Sequence, residues 1–277
     1  MSISRRSFLN TTPIALVPAL WSHTLQGQAG PGAVAAKASG PGDSFPTQPA
    51  DLAREIVGVS HNNVARVKEL LERWPTLARA SYDWGFGDWE DALGAASHVG
   101  NREIADVLLK NGARPTIFSA AMLGQLEIVK AFIAASPGIE ATPGPHGIPL
   151  LRHAMAGGAQ AQSVVDYLKT LPGADARPAS VPIAAEQLAA LTGDYPYGAG
   201  ADERITIAVS TNSALTFARV GRSPRNLVHI GDNTFFPVGA PRVQIKFRKS
   251  TSGTTLTVHD PDLVLEARRV LGSGLVF

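Results

Sequence analysis

Gly100-Asn101-Arg102-Glu103-Ile104-Ala105-Asp106-Val107-Leu108-Leu109 carries the pattern that decides how the first half of this chain is read. Ile104, Val107 and Leu108 fall at i, i+3 and i+4, which is one face of a helix. The same triplet recurs as Val67-x-x-Leu70-Leu71, Ile128-x-x-Ala131-Phe132 and Val164-x-x-Tyr167-Leu168, with steps of 37, 24 and 36 residues between copies. Small residues and a glycine precede two of the copies, in Ala96-Ser97-His98-Val99-Gly100 and Ala120-Ala121-Met122-Leu123-Gly124. Small side chains let neighbouring helices approach closely, and glycine suits the turn that ends one helix before the next. Units of this kind bury their apolar faces only by stacking, so the pattern predicts a short helical solenoid over residues 51–175. The third step is long because Gly157-Gly158-Ala159 loosens the connection between helices.

Composition limits the function classes. A chain of 277 residues, 44% hydrophobic and 17% charged, has the make-up of a globular protein with a real core. The formal charge of +2 includes Arg5 and Arg6, and without them the remainder is neutral. A neutral body with no Lys/Arg cluster argues against nucleic acid as a partner. Cysteine is absent, which removes disulfides, thiolate nucleophiles and Cys-based metal sites. No segment is long and apolar enough to span a membrane, so no integral membrane association is expected.

Past a Pro-containing linker at 176–183, the apolar period changes from 3.6 to 2. Ile205/Ile207/Val209, Leu215/Phe217, Val228/Ile230, Phe236/Val238, Val243/Ile245/Phe247 and Leu256/Val258 alternate with other residues. Turn residues separate them, as in Thr211-Asn212-Ser213, Gly231-Asp232-Asn233 and Asp260-Pro261-Asp262. About seven or eight short strands at even spacing fit a small antiparallel barrel or sandwich, taken as a β-barrel over 184–271 with Glu266–Val270 as the closing strand. The fold class expected is therefore α+β and multidomain.

Three resemblances extend this reading. Gly100–Ala113 and Gly124–Lys130 resemble the second helix of ankyrin repeats and its lead-in, which implies an ankyrin-like solenoid gripping a partner on its concave side. The step of 24 leaves no room for a β-hairpin finger between the second and third units. Leu188-x-x-Leu191-x-Gly193-x-Tyr195, Asn233-Thr234-Phe235-Phe236 and Val243-x-Ile245-x-Phe247 resemble the small lipocalin-like β-domains appended to β-lactamase-like hydrolases. That resemblance implies an accessory domain without chemistry of its own. Ser4-Arg5-Arg6-Ser7-Phe8-Leu9-Asn10 resembles the twin-arginine export motif, and an apolar stretch from Pro13 to Trp21 follows it. Residues 1–29 would then be a signal peptide and 30–50 a disordered Gly/Pro/Ala/Ser linker. The expected location is the periplasm of a bacterium, or secretion from it.

Candidate binding residues cluster in two loops. Tyr82 to Asp91 packs four aromatic residues and four carboxylates into ten positions, and Gly144-Pro145-His146-Gly147 lies before the fourth triplet. Trp84, Phe86, Asp88, Trp89, His98, His146 and His153 would line an aromatic concave face. The structural alternatives are that Trp84, Phe86 and Trp89 cap a core and that Asp88 caps a helix beginning near residue 91. Gly85 and Gly87 predict positive φ in a tight loop. No nucleophile elbow, zinc-helix pair, phosphate loop or dinucleotide fingerprint is present. The histidines are scattered, and no cofactor, metal ligand or catalytic residue is assigned from sequence. The function expected is non-catalytic recognition of a protein or small molecule on the repeat face. The alternatives are a hydrolase-like enzyme with a His/Asp site between the loops, and a small-ligand carrier using the barrel.

Overall fold

The structure is a computed structural model in which residues 45–261 and 263–270 are described. The expected signal segment with Arg5 and Arg6, most of the expected 30–50 linker and the last residue of the expected barrel lie outside the described residues. The described residues belong to one compact unit. Among the described residues, no helix is long and apolar enough to cross a membrane.

The first half consists of short helices in pairs: α1 (Ala50–Val59) with α2 (Val64–Arg73), and α3 (Ala92–His98) with α4 (Arg102–Lys110). These are followed by α5 (Ile117–Met122) with α6 (Leu126–Ala135), and α7 (Leu150–Ala156) with α8 (Gln162–Lys169). Each repeated triplet falls on the second helix of a pair. Side-chain caps fix several starts: Asn63 accepts from Arg66 N, Asn101 from Ile104 N, and Thr116 from Ser119 N. Asp91, not Asp88, caps α3 by accepting from Gly94 N. One triplet is out of phase, because Val129 is buried while Ile128 stays exposed.

The expected ankyrin-like solenoid does not form. In a solenoid each unit touches only its neighbours, but here α3 packs directly on α7, across the intervening pair. Glycines make that closure possible. A Cβ on Gly100 would meet the Ala156 carbonyl oxygen at 2.1 Å, and one on Gly157 would meet the Met122 oxygen at 2.0 Å. Gly157 is thus a point of tight backbone contact, not a loosened connection. Arg102 reinforces it by donating to the carbonyls of Met122, Leu123 and Gly157. Among the described residues, the helical half has one hairpin, β1 (Ser81–Asp83) with β2 (Trp89–Asp91). Uneven steps and a single hairpin cannot generate a regular superhelix. The result is a closed block of short helices, not an open concave surface.

The second half is a nearly closed antiparallel barrel of eight strands in chain order. They are β3 (Gly193–Pro196), β4 (Arg204–Val209), β5 (Leu215–Arg219), β6 (Arg225–Gly231), β7 (Thr234–Pro237), β8 (Gln244–Ser250), β9 (Gly253–Asp260) and β10 (Leu263–Arg268). A bridge between Asp194 and Val270 brings the last segment back to the first strand. The short helix α9 (Ala185–Ala189) leads in, and Leu188 and Leu191 join the barrel core. Ile205, Ile207, Leu215, Phe217, Ile245, Phe247, Leu256 and Val258 point inward as their alternation predicts. In β6 and β7 the inward residues are Leu227 and Phe235 instead, with an irregularity between His229 and Gly231. Phe236 is buried on the opposite face, beside Gly87 and Asp88 of the helical half. Both faces of that strand are covered, so alternation could not give its register.

Candidate metal centre

Glu90 is the centre around which the site is built. It lies in β2 with a side chain 0% exposed, and a buried carboxylate must be paired. Four segments bring it partners. The turn after α1 supplies His61, the last position of α3 supplies His98, and the single helical turn Pro145–Gly147 supplies His146. The aromatic loop supplies Trp84, whose indole Nε1 donates to Glu90 Oε2 at 2.7 Å.

The donor atoms converge. His98 Nε2 lies 3.1 Å from His61 Nε2 and 3.0 Å from Glu90 Oε1. His146 Nε2 lies 3.4 Å from Glu90 Oε1, and His61 Nε2 lies 3.7 Å from Glu90 Oε2. One donor atom from each of the four residues lies within 4.8 Å of every other. A tetrahedral ion with bonds of about 2.0–2.1 Å to His and carboxylate ligands holds its donors about 3.3 Å apart. The four contacts of 3.0–3.7 Å bracket that value, and the remaining separations, all within 4.8 Å, would have to shorten around an ion.

The outer nitrogens are anchored, as metal-binding histidines require. His61 Nδ1 lies 2.9 Å from the Gly58 carbonyl, and His146 Nδ1 lies 2.7 Å from Asp88 Oδ2. The first contact puts the proton of a neutral His61 ring on Nδ1 and turns its Nε2 lone pair toward the centre; at His146 Asp88 holds the Nδ1 proton, and Nε2 becomes a ligand once its own proton is displaced. Asp88 also accepts from the His146 backbone N at 2.9 Å. His146 adopts φ +58, a left-handed conformation that those two bonds hold in place. Arg225 of β6 donates to Asp88, to the Gly85 carbonyl and to the Val238 carbonyl. The barrel therefore fixes the aromatic loop and, through Asp88, the orientation of His146.

Charge is balanced within the cluster. Burial opposes ionisation of Glu90, but hydrogen bonds from His146 and His98 outweigh it and hold the carboxyl at about 2. For Asp88 burial likewise opposes ionisation, and bonds from His146 with the nearby Arg225 charge bring its pKa below the usual value. Burial disfavours the charged His146 ring, yet its bonds to Asp88 and Glu90 raise it to about 9. Without an ion, a proton on His146 serves as the counter-charge, and a divalent cation could take over that role.

The residues singled out from sequence are divided by the structure. Asp88, His98, His146 and Trp84 meet at this centre. Gly85 and Gly87 have the positive φ expected, with Phe86 between them also at φ +60. Phe86 packs edge-on against Phe217 of the barrel, with ring centroids 5.5 Å apart, so it joins the two halves. Trp89 is 63% exposed and borders a cavity of about 580 Å³ with Phe118, Phe236 and Gly144. His153 is fully buried beside Phe118, with ring centroids 4.8 Å apart. Sequence reasoning missed His61, Glu90 and Arg225, since their separations follow no helical or strand period. The one available hint for Glu90 was its place in an acidic and aromatic run that is too rich for an ordinary loop.

Among the described residues, His61, Glu90, His98 and His146 are the group able to hold a metal ion. No protein-family model matches this chain, and none of the curated proteins searched matches it.

Proposed function

We propose that this protein holds one divalent transition-metal ion at His61, Glu90, His98 and His146 and acts on a small molecule brought to that ion. The observation that carries this reading is the spacing of four donor atoms from four separate segments, with the outer nitrogens of His61 and His146 already tied. Three imidazoles and one carboxylate suit zinc best among the common ions. His61 and His146 are 25% and 27% exposed, so solvent or a ligand can reach one side of the cluster. An ion held by all four residues would reach such a molecule by taking it as a fifth ligand on that side, and would there polarise a carbonyl or phosphoryl oxygen or lower the pKa of a water molecule. The chain's own residues would orient the ligands: Asp88 and Arg225 through His146, and Trp84 through Glu90.

Recognition on an open concave face is set aside, because the helical block closes and most of the residues assigned to that face turn inward. The small-ligand alternative keeps its barrel. Tyr195, Phe235 and Phe247 fill the barrel interior, with ring centroids 5.6–5.8 Å apart, so we place the ligand at the metal centre instead.

Metal content tests the reading. Protein stripped with chelator, dialysed against zinc and then against buffer should retain one equivalent by elemental analysis, and His98→Ala should retain almost none. A wild-type protein that keeps no zinc, cobalt or manganese after this treatment overturns it.

A further inference from the structure

A cleft of about 200 Å³ borders the proposed metal centre, and its lining is chemically one-sided. Trp84 and His146 form the wall shared with the centre. Arg54 of α1, Arg222 of the turn between β5 and β6, and Arg225 form much of the remainder, together with Tyr82. None of its lining residues is acidic. Arg225 is already neutralised by Asp88. Arg222 donates to the Tyr82 hydroxyl and has no carboxylate partner among the described residues. Arg54 likewise forms no hydrogen bond or ion pair among them.

Arg54 and Arg222 are exposed and line the same cleft without a carboxylate partner among the described residues, so a small anion entering it meets two guanidinium groups free to pair with it. The planar fork of arginine pairs with carboxylate and phosphate oxygens through two parallel N–H···O bonds. A divalent ion at the neighbouring wall would add positive charge to the same space. The indole of Trp84 and the ring of Tyr82, in edge contact at 5.0 Å, offer an apolar surface for a short carbon skeleton. The cleft is open to solvent on one side, with room for a charged group and a short skeleton.

We infer that this cleft binds the carboxylate or phosphate group of a small anionic substrate through Arg222 and Arg54, beside the metal ion. The inference rests on the metal reading for its role in chemistry, but the anion site has its own test. Titration calorimetry at fixed ionic strength would use malonate and inorganic phosphate as probes, with zinc-loaded and metal-free protein. Arg222→Gln and Arg54→Gln would be measured alongside, with zinc content and melting temperature recorded for each.

Wild-type protein should bind at least one probe, and Arg222→Gln should weaken it tenfold or more while retaining one equivalent of zinc and a single unfolding transition well above the assay temperature. Tighter malonate assigns a carboxylate substrate, and tighter phosphate a phosphorylated one. Arg222-dependent binding in a protein that takes up no metal supports the anion cleft and overturns only the metal reading. Zinc bound with neither probe binding, or binding indifferent to both arginine substitutions, overturns the anion cleft and leaves the metal reading standing.

Discussion

His153 is fully buried, and neither ring nitrogen has a hydrogen-bond partner. Burial, aided by nearby His98, pushes its pKa down to about 3 from an ordinary 6.5. Between those values the unfolded chain takes up a proton that the folded protein refuses. The folded state therefore loses stability as pH falls below 6.5, and the loss is complete near 3. His153→Leu fills similar space without polar atoms, so it should be near neutral at pH 7 and more stable than wild type at pH 5. Urea midpoints at the two pH values check this, and an unchanged acid limb would assign the titration elsewhere. Asp88→Asn at the metal centre should act in the other direction. It leaves buried Arg225 without its counter-charge, at a cost of about 3–5 kcal/mol. Loss of the carboxylate behind His146 should also weaken metal affinity by about 10–100-fold at unchanged stoichiometry.

At the scale of elements, the apolar triplets located α2, α4, α6 and α8, and strand alternation located most of the barrel. What they could not give was how the pairs meet. Gly157 has φ −67, a conformation open to any residue, so its requirement is space alone. An added methyl would collide with the Met122 carbonyl at 2.0 Å and with Ala161 Cβ at 2.8 Å. Gly157→Ala should push α5 and α7 apart and cost about 1–3 kcal/mol. At about 2–4 °C per kcal/mol for a chain of this size, calorimetry should record a clear fall in melting temperature. A wild-type melting temperature would mean that the two helices can slide without loss.

Over the whole molecule, the two halves are tied by the Arg225–Asp88 pair, the Phe86–Phe217 contact and the Arg222–Tyr82 hydrogen bond. Those ties predict a single cooperative unfolding transition. In protein lacking residues 1–29, and with them Trp21, the tryptophans are Trp74, Trp84 and Trp89, all in the helical half, so fluorescence reports that half while strand-type circular dichroism reports the barrel. The two melting curves should coincide. Curves separated by more than a few degrees would show that each half unfolds on its own and that these ties are weak.

The sequence by itself determined what depends on near neighbours. Period 3.6 before the linker and period 2 after it set helices and then strands, and Gly85 and Gly87 marked a left-handed loop. A small antiparallel β-domain of about this many strands follows from alternation and turn residues, because each strand pairs with the next in the chain, and its closure with eight strands comes from the structure. Only the tertiary structure decided that the helical pairs close on one another, since α3 meets α7 with Gly100 against the Ala156 carbonyl, a contact between residues more than 50 apart that no period encodes. It also decided the site. His61, Glu90, His98 and His146 come from a turn, a strand, a helix end and a left-handed loop. Their convergence depends on the packing of all four, and Arg225 enters from the barrel. A carboxylate reads the same in a sequence whether it faces water or three imidazoles, and burial, a property of the whole fold, makes the difference.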